Sequence, residues 1–119
     1  MIRVYCYSRC TTCRKALAWL RERKIGFEVT DLKENPPDEE ALRTCHAQSG
    51  LPLRRFFNTS GQAYRALNLA EKLPEMSEDE QFRLLASDGM LVKRPLLLAG
   101  DRVLVGFREK EWAEVFEKT

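Results

Sequence analysis

The chain has 119 residues, of which 44% are apolar and 32% charged. That is the profile of a globular domain able to bury a core without staples, and it excludes a disordered chain. A net charge of +2 with the signs interspersed argues against direct binding to nucleic acid.

The first segment, IRVYCY, alternates and is rich in β-branched and aromatic residues, which predicts a strand. No basic segment followed by an apolar core precedes it, so no secretory signal is expected. The longest apolar run, PLLLAG, is far too short to cross a bilayer. A cytoplasmic location is therefore expected, where the four cysteines would stay reduced and not form a structural disulfide framework. From Thr11 a helix is predicted, with Ala16, Leu17, Trp19 and Leu20 on its apolar face and Gly26 just beyond its end. IGFEVTDL reads as a second strand, most simply parallel to the first across the intervening helix.

Asn35-Pro36-Pro37 and the acidic residues after it read as the start of a helix, which Gly50 and Pro52 close. LPLRRFF, GQAYRALNLAEKLP and SEDEQFRLLASDG read as three short helices, the last with Ser77 and Glu80 at capping-box spacing. After Asp88-Gly89 the pattern returns to strands. KRPLLLAGDRVLVGF is two apolar runs joined by Ala99-Gly100-Asp101, a hairpin, and EKEWAEVFEK is a closing amphipathic helix. The order β-α-β, helical middle, β-β-α predicts a thioredoxin-like α/β fold. Its four-stranded mixed sheet would be interrupted by a helical insertion at about 36–89, and residues 1–119 would form one domain.

Three cysteines fall within the eight residues from Cys6 to Cys13. A zinc site needs about four ligands, usually in two closely spaced pairs. Only Cys6, Cys45 and His46 could complete Cys10 and Cys13, and adjacent helical residues diverge, so no metal is expected. Cys-Thr-Thr-Cys at a strand-to-helix turn reads instead as a thiol–disulfide pair. Cys10 would stand at the helix N-terminus, where unpaired N–H groups, the helix dipole and the nearby Arg9 and Arg14 favour a thiolate nucleophile. Cys13, one turn on, could resolve a mixed disulfide at Cys10. Cys6 reads as a small core residue. Cys45 and His46 read as residues of a polar helix with no marked role. Arg94-Pro95 opens the third strand, where this fold places a cis-proline opposite the cysteines. Arg94 could then stabilise a thiolate or an oxyanion.

Together, YSRCTTCRKALAWL, the Asn-Pro-Pro helix start, the helical insertion and the Arg-Pro before the hairpin resemble the arsenate reductase and Spx superfamily over nearly the whole chain. In its glutaredoxin-linked arsenate reductases the second cysteine is a serine and three arginines bind the oxyanion. Of those positions, Cys10, Arg14 and Arg94 match. The place of the second arginine falls on Asn58, and that of the third on Val105 or Gly106. Losing two charge-assisted clamps at about 1.5–3 kcal/mol each speaks against arsenate as the substrate.

The Spx-like branch, redox-sensing regulators that bind the C-terminal domain of the RNA polymerase α subunit, matches in its Cys-x-x-Cys, its Arg-Pro and RVLVGF. A glycine associated with that contact corresponds to Gly50, which also suits a plain helix C-cap. The resemblance implies a reversible Cys10–Cys13 dithiol with Arg94, Arg14 and Pro95 around it. No cofactor is implied, since a thiol carrier such as glutathione, glutaredoxin or thioredoxin would supply electrons. Two roles stay open: a thiol-dependent reductase, or a redox-gated partner of RNA polymerase.

Overall fold

The computed structural model describes residues 2–117. Strand β1 (Ile2–Cys6) leads through helix α1 (Thr11–Glu22) to β2 (Glu28–Asp31), and the hairpin β3 (Leu96–Ala99) and β4 (Arg102–Val105) precedes α6 (Glu109–Phe116). Between β2 and β3 lie α2 (Glu39–Ser49), α3 (Gln62–Ala66), α4 (Leu69–Lys72) and α5 (Glu78–Ser87), with short 3-10 turns at Leu53–Phe56, Leu73–Glu75 and Gly89–Leu91. The sheet order is β2-β1-β3-β4, with β1 parallel to β2 and antiparallel to β3, and β3 antiparallel to β4. This is a thioredoxin-like fold with a mixed four-stranded sheet.

Alternation along β1 sends side chains to opposite faces of the sheet, and each face has its own core. Val4, Cys6, Leu97 and Leu104 meet Cys13, Ala16, Trp19 and Leu20 of α1 and Trp112 of α6. On the other face, Leu96 and Val105 meet Leu42 and Cys45 of α2, Phe56 and Phe57, and Phe82 and Leu85 of α5. The helical middle therefore covers the sheet face that α1 and α6 leave bare. Among the described residues no helix is long and apolar enough to cross a membrane.

Several local details differ from the sequence reading. Arg23 is the C-cap of helix α1, and the left-handed residue after it is Lys24 (φ 57°), not Gly26. Helix α2 is capped by Asp38, whose carboxylate accepts the Ala41 N–H at 2.8 Å, so the Asn35-Pro36-Pro37 segment leads into the helix without being its first turn. GQAYRALNLAEKLP is two helices, because Asn68 adopts φ 54°, ψ 43° and breaks the run. Its side-chain amide donates to Glu71 at 3.0 Å, a local bond that asparagine can make in that conformation. Cys45, read from sequence as a polar-helix residue, is 3% exposed and sits in the core. His46 is half-buried, its ring edge-on to Phe56 and Phe82 at 5.9 and 5.6 Å.

Ser77 and Glu80 form the expected capping box, with bonds of 2.9 and 3.1 Å. Gly50 closes α2 at φ 69°, a conformation that favours glycine. Gly89 is required for another reason: a Cβ there would lie 1.8 Å from the Leu32 carbonyl oxygen.

Candidate functional site

Strand β1 ends at Cys6, and a short turn, Tyr7 to Arg9, brings the chain to Cys10. The turn is held by the Cys10 N–H, which donates to the Tyr7 carbonyl at 3.0 Å. Cys10 is the N-cap of α1 in extended conformation (φ −93°, ψ 117°), and its sulfur accepts the Cys13 N–H at 3.4 Å. Sulfur thus takes the role that a serine or aspartate oxygen usually plays at this position, satisfying one of the helix's orphan donors.

The two cysteines of the pair differ in access. Cys10 is partly exposed and lines a cleft of about 740 Å³. Cys13, one turn on, is 1% exposed and belongs to the core under α1. All four cysteines are free thiols.

Cys6, at the end of β1, is also buried and belongs to the same core cluster as Cys13. The Cys13 pKa is lowered to about 6, first by the neighbouring Cys6 thiol and, against the opposing effect of burial, by the Tyr7 backbone N–H, the Cys10 thiol and the Arg94 charge. Cys6 is driven the other way, by the neighbouring Cys13 thiol, by burial, and by repulsion from Cys13 and Cys10. Cys45, far along the chain in α2, is pushed up to about 11 by burial.

The Arg94–Pro95 peptide bond is cis. Pro95 is buried at the mouth of β3, and its carbonyl accepts the Gly106 N–H at 2.8 Å, which ties the start of β3 to the end of β4. Arg94 lines the cleft with Cys10, and its guanidinium lies over the Tyr7 ring at 5.3 Å. Arg14 is placed differently: it does not line the cleft, and its Nε donates to the Ser8 carbonyl at 3.0 Å, bracing the turn that carries Cys10. Gly50 lies apart from the cleft, exposed at the end of α2 with open space around it.

Asn58, Val105 and Gly106, the positions where the resemblance puts two arginines, all line the cleft. Asn58 is buried and its side-chain oxygen accepts from Ser60 at 3.5 Å. Two features escaped the sequence reading. One is the Cys6–Cys13 contact, which needed the end of β1 to be placed against the first turn of α1. The other is the set of cations on the cleft wall, contributed by segments far apart in the chain. Among the described residues no cluster of His, Cys, Asp and Glu could hold a metal ion.

The ArsC family model matches residues 5–115. The chain is 54% identical over 110 residues to the uncharacterized protein YusI of Bacillus subtilis (strain 168), a match covering 92% of this chain and 93% of that one. It is 30% identical over 111 residues to the global transcriptional regulator Spx of Lactiplantibacillus plantarum, covering 93% of this chain and 83% of that one. Among solved structures, that of a possible arsenate reductase from Streptococcus mutans UA159 superposes with a TM-score of 0.87 at 45% identity, covering 94% of this chain and 97% of that one. The chain belongs to the ArsC family.

Proposed function

We propose that this chain is a cytoplasmic thiol-dependent reductase that works through reversible oxidation of Cys10 and Cys13. The observation that carries this reading is the division of access between the two sulfurs. Cys10 faces the cleft, while Cys13 is buried one turn away with its thiolate favoured.

The Cys10 thiolate attacks a substrate disulfide, forming a Cys10 mixed disulfide and releasing one substrate thiolate. The Cys13 thiolate then attacks the Cys10 sulfur, closing the Cys10–Cys13 disulfide and releasing the second. Two electrons pass from protein to substrate, and a thiol carrier such as glutathione, glutaredoxin or thioredoxin returns them. A resolving thiol that is buried meets no competing partner, and a thiolate already formed needs no base. Arg94 and the turn braced by Arg14 stabilise negative charge near the pair, and Pro95 shapes the cleft wall beside Cys10.

The test is to equilibrate the protein in glutathione redox buffers and map disulfides by mass spectrometry. The expected product is a Cys10–Cys13 disulfide that titrates reversibly, with Cys13→Ser trapping a mixed disulfide at Cys10. Oxidised protein whose Cys10 and Cys13 both remain free thiols would end this reading.

A second reading is favoured by the likeness to Spx along most of the chain and by the exposed Gly50. In it the same dithiol gates binding to the C-terminal domain of the RNA polymerase α subunit. Capture of that domain by the reduced and the oxidised protein tests it directly. Failure to bind in either state would remove it.

A further inference from the structure

Cys6 is a buried thiol that the exchange between Cys10 and Cys13 does not use. Alternation along β1 sends Val4 and Cys6 toward α1, and Cys13, Ala16 and Leu20 are the stripe of α1 that meets them. Cys6 is the last residue of β1, and only the turn from Tyr7 to Cys10 separates it from Thr11, the first residue of α1. The end of the strand therefore lies beside the first turn of the helix, and Cys6 and Cys13 share one core cluster. Cys10 packs against that cluster and lines the cleft. Exposure separates the three sulfurs: Cys10 opens on the cleft, whereas Cys13 and Cys6 are 1% and 4% exposed.

The charges in this cluster keep Cys6 unreactive while the protein is reduced. Its pKa is held up first by the neighbouring Cys13 thiol, then by burial, and then by repulsion from Cys13 and Cys10. A Cys10–Cys13 disulfide has neither a thiol nor a charge, so forming it removes each of these causes except burial. Burial alone takes Cys45, a thiol in the other core, to about 11. A Cys6 thiol released in this way is slightly ionised at about pH 8, which makes its attack slow but open. The disulfide sulfur that lies in the core with it is that of Cys13.

We propose that Cys6 is a second, internal resolving thiol, which moves the disulfide from Cys10–Cys13 to Cys6–Cys13 and returns Cys10 to the cleft as a free thiol. This rests on the exchange proposed for Cys10 and Cys13. In the step the Cys6 thiolate attacks the Cys13 sulfur, the Cys10–Cys13 bond breaks, and a Cys6–Cys13 bond forms. The electron pair leaves on Cys10, which takes up a proton in place of the one that Cys6 gave up. One disulfide is lost and one is gained, so no oxidant or reductant enters. The product holds the oxidising equivalent in the core, away from a thiol carrier, and Cys10 can form a mixed disulfide again. It also replaces a buried thiol by one that meets water, which favours the product.

Trypsin makes the rearrangement readable, because Arg9 lies between Cys6 and Cys10. Cleavage leaves Cys6 in peptide 4–9 and both Cys10 and Cys13 in peptide 10–14. A Cys10–Cys13 bond then closes a loop within one peptide, and a Cys6–Cys13 bond joins two. The reduced protein is oxidised with one equivalent of diamide, passed through a desalting column and held at about pH 8. Samples are trapped at intervals with N-ethylmaleimide in mild acid and mapped by mass spectrometry. The loop should form first and then decline over minutes to hours, the range of uncatalysed disulfide rearrangement. The joined peptides should appear at the same rate, with maleimide on Cys10. Cys6→Ser should keep the loop without decline and leave Cys10 unlabelled, and the wild-type time course decides even if that variant does not fold. A loop that persists while Cys6 takes maleimide on denaturation overturns the proposal and leaves the Cys10–Cys13 exchange standing. Joined peptides with maleimide on Cys13 would put the new bond on Cys10 and overturn it too. Neither loop nor joined peptides would remove both the relay and the exchange on which it rests.

Discussion

Cys6 at the end of β1 and Cys13 in the first turn of α1 are buried together in the core beneath that helix. Of the influences that lower the Cys13 pKa, the Cys6 thiol is the largest. Replacing Cys6 with Val keeps the volume close and removes the thiol. The thiolate absorbance of Cys13, followed against pH in a background lacking Cys10, should then titrate at least one unit higher, a change of about 1.4 kcal/mol per unit. An unchanged titration would mean that the backbone N–H of Tyr7 suffices.

Arg94 acts on the same sulfur through its charge, and its effect is the smallest of those that lower the Cys13 pKa. Arg94→Gln should raise the Cys13 pKa in the same direction as Cys6→Val and by less. A larger shift than that of Cys6→Val would mean that the guanidinium charge, and not the Cys6 thiol, dominates at this sulfur.

The pH dependence of resolution follows from the lowered Cys13 value. Above about 6 the thiolate is present and the closing step should be flat with pH. Below it the thiol is protonated, and the rate should fall about tenfold per unit. Stopped-flow release of the second thiol from a preformed Cys10 mixed disulfide measures this step alone. A rate that keeps rising through pH 8 to 9, near the ordinary cysteine value of about 8.5, would contradict it.

Gly89 faces the Leu32 carbonyl so closely that a Cβ would lie 1.8 Å from the oxygen. The atom in the way is backbone, and Leu32 itself donates its N–H to the Cys6 carbonyl at 2.9 Å. Gly89→Ala should therefore displace the end of β2 and cost about 3 kcal/mol or more in urea denaturation. Gly50 has open space instead, and only its φ of 69° resists a side chain. Gly50→Ala and Gly50→Arg should share a cost of about 1 kcal/mol. Loss of α-subunit capture by the Arg variant alone would then report a contact surface, not a folding defect.

The α5 capping box gives a further check on acid stability. The Glu80 carboxyl is held below its ordinary value by the Ser77 backbone N–H it accepts. A depressed carboxyl stabilises the folded state above its unfolded pKa, and that contribution is lost as pH falls through the folded value. Glu80→Gln should thus flatten the acid limb of the stability profile, measured by melting temperature from neutral pH downward. An unaltered acid limb would assign that limb to other carboxylates.

Much of this architecture was legible in the sequence because its signals are local. The Cys10–Cys13 spacing at a strand-to-helix turn, the Ser77–Glu80 pair and the Gly100 hairpin each depend on neighbours within a few residues. Arg94-Pro95 was legible only through the fold that the element order implied. What escaped depended on tertiary placement or on unusual backbone angles. Asn68 and Lys24 take left-handed conformations that neither residue type announces. Cys45 lies on a helix whose polar composition hides the one face turned to the core. Arg54, Lys93 and Arg108 are scattered among other charges, and no pattern in the chain marks them as neighbours.

Both tryptophans of the chain stand in one cluster, Trp19 of α1 edge-on to Trp112 of α6 at 5.9 Å, with Phe107 and Phe116 around them. The Trp112 indole donates to the Gly106 carbonyl at 3.1 Å, and the Gly106 N–H in turn reaches Pro95. All of the indole emission therefore originates where the cysteine-bearing helix, the hairpin and the last helix meet. The molecule carries an intrinsic optical gauge at the base of its thiol pair, readable without a label while the sulfurs change state.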